Sequence, residues 1–206
     1  MNPNELKPDH RVILDWVEPG SSVLDLGCGE GDLLYQLVKQ KGARGQGVEI
    51  DEQAIYKCVA KGLNVFHDDI EGGLTDYQDG AFDYAILDQT FQQIQHVDRA
   101  LDNALRVGKR VIVGFPNFAY YKSRFQIFFM GRTPVTPALP YMWYETPNSH
   151  SVSILDFAEY CSSKKVVVER SAFLSGAREV KLFPNFFAQI GLFQIRKDID
   201  DRGAGI

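Results

Sequence analysis

The sequence has little cysteine: Cys28, Cys58 and Cys161 are far apart and odd in number. They suit neither a disulfide framework nor a zinc site, so a reducing, cytoplasmic setting is expected. No cluster of His, Cys, Asp or Glu falls at metal-ligand spacing, and no metal is expected. No apolar run is long enough to cross a bilayer, which argues against a membrane role. No basic start leads into an apolar core at the N-terminus, so no secretion signal is read. Positive charge is also short. The 22 Lys and Arg stand against 27 Asp and Glu, a net charge of −5, which disfavours a protein that grips a nucleic-acid backbone. Repeats and low-complexity tracts are absent. What remains is a chain of 206 residues with 45% hydrophobic content, as expected for one globular domain spanning 1–206.

The informative stretch is Val23-Leu24-Asp25-Leu26-Gly27-Cys28-Gly29-Glu30-Gly31. A short apolar run broken by one carboxylate passes through three glycines into the amphipathic run Leu33 to Val38. This predicts strand, tight turn and helix, with bare backbone where a ligand can approach and free N–H groups at the helix start. The glycines are spaced Gly-x-Gly-x-Gly, unlike the dinucleotide fingerprint. Asp25, two residues before the first glycine, would oppose a pyrophosphate but suits a ligand bearing an ammonium and a sulfonium. The turn resembles the first motif of class I S-adenosylmethionine-dependent methyltransferases. The next strand, Arg44 to Glu49, puts Glu49 at its end, about 20 residues beyond the turn, where an acid can hold ribose hydroxyls. Asp51 reads better as the cap of the following helix.

Seven strands are expected: Val23–Leu26, Arg44–Glu49, Leu63–His67, Phe82–Leu87, Val111–Phe115, Lys165–Arg170 and Phe186–Arg196. Helices are expected over Asp9–Val17 (within an N-terminal segment 1–19), from the glycine turn to about Lys41, and over Glu52–Lys61, Asp98–Val107, Tyr121–Met130 and Ile154–Ser162, the last capped by Ser153. The alternation predicts an α/β fold: a doubly wound, Rossmann-like, mainly parallel seven-stranded sheet with helices on both faces. Ligands bind such sheets at the C-terminal strand ends. That adds Asp69, preferred over Asp68, and Ile70 as adenine contacts, and Asp88 at the crevice rim. The candidate cofactor-binding set is thus Asp25, Gly27, Cys28, Gly29, Glu49, Ile50, Asp69, Ile70 and Asp88.

Residues 116–150 carry five prolines and many aromatics. They read as an aromatic lid inserted after strand five, with Phe125, Phe128 and Phe129 expected to bury one face of a helix. If exposed, such aromatics would form a ligand wall or a protein interface. The tail 198–206 is polar and expected to fray.

Across nearly its whole length the chain resembles the MetW family of bacterial methionine biosynthesis. The resemblance rests on the Val23–Asp32, Gly47–Asp51 and Phe82–Leu87 segments and on Phe115-Pro116-Asn117-Phe118, Gly131–Thr136, Leu139–Asn148 and Phe183-Pro184-Asn185-Phe186. It implies a class I methyltransferase fold, S-adenosylmethionine or S-adenosylhomocysteine as the cofactor, and association with homoserine O-acyltransferase (MetX). Asp88 departs from the family's usual small polar residue, as His67-Asp68 departs from its usual pair. Two functions follow: a methyltransferase of unassigned acceptor, or a cofactor-binding regulator of the acyltransferase with the 116–150 segment as its contact surface. For the first, Tyr120, Tyr144, His96 and His150 are candidate bases, none of them preferred. An NAD-dependent oxidoreductase is a third, weaker reading because of Asp25 and the glycine spacing.

Overall fold

The computed structural model describes residues 6–72 and 74–198. The predicted tail lies, apart from Asp198, outside the described residues. The strands are β1 (Ser22–Leu26), β2 (Arg44–Glu49), β3 (Asn64–His67), β4 (Phe82–Asp88), β5 (Gly108–Pro116), β6 (Val166–Ser175), β7 (Arg178–Glu179) and β8 (Ile190–Lys197). They form one sheet in the order β3-β2-β1-β4-β5-β8-β6-β7. The first five are parallel, while β8, β6 and β7 run antiparallel to their neighbours.

The sheet has eight strands, not seven. The additional one, β7, is a two-residue return that pairs with the end of β6 after Gly176 takes a positive φ. The last strand also begins later than expected. Phe186 and Phe187 belong to a short helix, α7 (Pro184–Phe187), because Pro184 occupies its first turn, where a missing N–H costs nothing.

The remaining helices are α1 (Pro8–Trp16), α2 (Asp32–Lys41), α3 (Glu52–Ala60), α4 (Val97–Val107), α5 (Tyr121–Met130) and α6 (Ile154–Ser163). Local signals account for their ends. Gly42 closes α2 in the left-handed conformation. Asp51 caps α3 by accepting the Gln53 N–H. Ser153 and Asp156 form a reciprocal capping box on α6.

Strand alternation divides the core between the two faces. Leu24, Leu26, Ala85, Leu87, Val111 and Val113 pack with α4 and α6 on one face, together with the rings of Phe91, Phe115, Phe157 and Phe193. Val23, Tyr84, Ile86 and Ile112 pack with Ile13 and Leu14 of α1 and Leu33 and Leu37 of α2 on the other. By the same parity Asp25 and Asp88 share the face that carries α1 and α2.

The helix α5 has the expected bounds but not the expected packing. Phe125, Phe128 and Phe129 are exposed, Phe128 by 81%, and Ser123 is its buried residue. Tyr121, Phe125, Phe128 and Phe129 do fall on one stripe, at i, i+4, i+7 and i+8, but that stripe faces outward, and the opposite side, with Ser123, faces the fold. Their rings pair with one another, Phe129 touching both Phe125 and Phe128.

Candidate functional site

The chain runs outward from β1 through β2 to β3, then returns to the other side of β1 for β4. This reversal opens a crevice at the C-terminal ends of β1 and β4, where open α/β sheets bind ligands. A cavity of about 600 Å³ occupies it, within the size range of small-molecule sites. All nine candidate residues line it: Asp25, Gly27, Cys28, Gly29, Glu49, Ile50, Asp69, Ile70 and Asp88.

The glycine turn is built for close approach. Gly27 has φ +75°, and a Cβ there would stand 2.4 Å from Thr90 Cγ2. The Gly27 N–H donates to the Val48 carbonyl at 2.8 Å, tying the turn to β2. Glu49 clamps it from the other side. Its Oε2 accepts the Gly29 N–H at 2.7 Å, and its Oε1 accepts the N–H groups of Ile50 and Asp51 at 2.8 and 3.0 Å. Carboxylate oxygens have further lone pairs, so Glu49 keeps acceptor capacity toward the cavity. Cys28 is buried, and burial with the nearby Asp25 charge pushes its thiol far up, leaving it a neutral packing group.

Asp25 is the unusual member. It is 3% exposed, and its carboxylate accepts no hydrogen bond from a described residue. Burial, with the Glu49 charge as a second cause, pushes its carboxyl up from 3.8 to about 7. Asp68 and Asp69 follow β3 in a tight turn, where Asp69 Oδ1 accepts the Glu71 N–H and Asp68 Oδ1 the Asp69 N–H. Both line the cavity, with buried Ile70 beside them and exposed Ile50 at the rim. Eight carboxylates in all face the cavity against Lys7 and His10. That field repels phosphates and favours a cation.

Sequence reading missed the contribution of α1. Asp9 and His10, in its first turn, are buried against the end of β4, and His10 Nε2 lies 3.6 Å from Asp88 Oδ2. Burial holds the His10 ring below its ordinary value. Burial and the charges of Asp9 and Asp25 hold Asp88 well above its own. A signal was available: Asp9 and His10 lie one helical turn before the core residues Ile13 and Leu14, so they share the buried face. Also missed were Gln89, Thr90, Gln93 and Ile94, which line the cavity just beyond β4. Gln89 has a positive φ of 57° and sits at the strand end, a position where backbone strain is stored at functional sites.

None of the candidate bases Tyr120, Tyr144, His96 and His150 lines the cavity, and no described residue of 116–150 does. Tyr120 is buried at the N-terminal end of α5, His150 Nε2 donates to the Gln95 carbonyl, and Tyr144 packs on Trp143 at the surface.

Solved structures share the fold. A SAM-dependent methyltransferase from Archaeoglobus fulgidus matches with TM-score 0.69 over 92% of this chain and 91% of its own, at 17% identity. The cyclase SpnF matches with TM-score 0.66 over 92% of this chain and 80% of its own, at 16% identity. At such identities the likeness shows architecture alone. In sequence, the chain is 34% identical over 177 residues to the bifunctional methionine biosynthesis protein MetXA/MetW of Rhodopirellula baltica. That match covers 82% of this chain but spans only 28% of the relative's length. Among the described residues no helix is long and apolar enough to cross a membrane. The model of the methionine biosynthesis protein MetW family matches residues 7–195, and the chain belongs to that family.

Proposed function

We propose that this chain binds S-adenosylmethionine in the β1–β4 cavity and works in methionine biosynthesis as a class I methyltransferase. The observation that carries the reading is Asp25, a buried residue on the cavity wall whose carboxylate accepts no hydrogen bond among the described residues, set beneath a bare glycine turn. Burying such a group is costly unless a ligand satisfies it, and a cation does so best. In this reading Asp25 faces the ammonium end of the ligand. The backbone of Gly27, Cys28 and Gly29 lies against the nucleoside, and Glu49 accepts from the ribose hydroxyls. Asp69 accepts from the adenine amino group, with Ile50 and Ile70 on the ring faces. Asp88 then sits on the methyl side, where an acceptor would enter. Transfer would need the acceptor's nucleophile in line with the methyl group and water kept out. The acceptor itself is open.

A second reading is favoured by two observations. The relative above carries the names MetXA and MetW in one chain, and this chain exposes Phe125, Phe128, Phe129, Trp143 and Tyr144 away from the cavity. Here the domain binds the same cofactor in the cytoplasm and acts on a partner homoserine O-acyltransferase. Coupling requires the partner to bind the occupied and empty forms with different affinity.

Calorimetric titration with S-adenosylhomocysteine tests the binding that both readings share; absence of heat with a folded chain overturns both. Copurification with the acyltransferase, followed by assays of homoserine acylation and labelled methyl transfer with and without S-adenosylmethionine, separates them. Label transfer supports the methyltransferase. Acylation that depends on this chain, with no transfer, supports the regulator.

A further inference from the structure

We propose that Asp9, His10 and Asp88 form a binding site for one first-row divalent cation, opening onto the ligand cavity. This goes beyond the cofactor reading and does not rest on it. The three residues come from two elements that meet only in the fold: the first turn of α1 and the last residue of β4. One ligand atom from each lies within 4.8 Å of the others, and His10 Nε2 stands 3.6 Å from Asp88 Oδ2. Ligands around a metal at roughly 2.0–2.2 Å are themselves about 3–4.4 Å apart, so small side-chain rotations bring this set to coordination distance.

The cluster is not an ordinary solvated acidic patch. Asp9 and His10 are buried, and the Asp88 side chain is 6% exposed. Asp88 Oδ1 is buried with no hydrogen-bond partner. Asp9 is only partly satisfied. Its Oδ1 accepts the His10 N–H at 3.0 Å, while its Oδ2 receives Gln89 Nε2 at a long 3.5 Å. Neither carboxylate forms an ion pair with lysine or arginine among the described residues. The backbone also makes room for the unsatisfied oxygen, because a Cβ on Gly114 would stand 2.1 Å from Asp88 Oδ1. A buried acceptor without a partner, in a space cleared for it, calls for something that supplies positive charge.

The donor set narrows the ion. One imidazole with two carboxylates suits manganese, iron, cobalt or zinc, whereas magnesium and calcium prefer oxygen alone. Three protein ligands leave coordination positions open, as in catalytic metal sites. His10 and Asp88 both line the cavity, so those positions face the bound ligand. An oxygen or nitrogen of a second small molecule would bind there.

The test uses cobalt(II) as a spectroscopic probe on the full chain, first stripped with chelator and dialysed free of it. The expected result is one cobalt per chain, a visible d–d absorption, and its loss when zinc is added. His10→Gln and Asp88→Asn should each weaken cobalt binding at least about tenfold and abolish the band. Circular dichroism and thermal melts check their folding, with Asp9→Asn replacing either one that fails. No band in the wild-type chain, or a variant that binds cobalt with the wild-type affinity and spectrum, overturns the proposal. Running the S-adenosylhomocysteine titration on the same preparation keeps the two readings apart. Nucleoside binding without a cobalt band overturns only the metal site, and the reverse overturns only the cofactor.

Discussion

Replacing Asp25 by asparagine should make the empty protein more stable and the ligand-binding protein worse. The wild-type carboxyl titrates near 7 in the folded chain against an ordinary 3.8, because burial disfavours its charge. Its folded-state pKa is raised, so the folded form holds the proton more tightly than the unfolded form does. Stability from this group is therefore lost as pH rises from about 4 to about 7, and no more is lost above that. The whole shift corresponds to about 4 kcal/mol at higher pH. Asparagine keeps the shape, cannot ionise, and carries a smaller desolvation cost of its own, so about 2 kcal/mol of relief is expected. For a chain of this size that is a rise of roughly 4–8 °C in Tm. The assay is a pair of melts without ligand, near pH 8 and near pH 5, for both proteins. The gap should be large at the higher pH and small at the lower. S-adenosylhomocysteine should bind the variant at least about tenfold more weakly, the equivalent of losing one charge-assisted contact. A variant no more stable than wild type near pH 8, or a gap independent of pH, would show that the Asp25 charge is already satisfied in the empty fold. The cationic-ligand argument would then fail.

Further expectations follow from other residues. If the ligand binds the ionised Asp25, affinity for S-adenosylhomocysteine should fall about tenfold per pH unit below about 7 and level off above it, with proton release on binding near pH 6; a flat calorimetric profile would contradict this. Gly27→Ala forces a Cβ onto Thr90 at a positive φ, and should cost about 2–4 kcal/mol by denaturant melt and abolish nucleoside binding. Ser153→Ala removes half of the α6 capping box and should lower stability by about 1 kcal/mol, without changing ligand affinity. The double change Phe128→Ser with Phe129→Ser removes exposed rings, so the melt should move by no more than about 0.5 kcal/mol. Capture of the acyltransferase should be lost if the second functional reading holds; unchanged capture would remove this surface from it.

Much of the site was legible because its signals are local. Asp25, the three glycines and Glu49 lie on two short strands and the turns that end them, and strand, turn and helix starts are written in neighbouring residues. Helix bounds were legible for the same reason: α5 matched its expected span, and Ser153 and Asp51 cap the helices they were read to cap. Burial was less legible. Phe125, Phe128 and Phe129 are apolar and helical, yet they pack mainly on one another and stay exposed. Phe186 continues an apolar run, yet Pro184 starts a helix there.

Local chemistry therefore marked most helix ends and the glycine turn that lines the cavity. The meeting of His10 with Asp88 was decided only when α1 docked on the sheet, because they stand 78 positions apart in the chain. Strand parity put Asp25 and Asp88 on the α1 face, and the order β2-β1-β4 opened the crevice between them. Such contacts depend on which surfaces bury each other across the whole molecule, and no window of neighbouring residues contains that information.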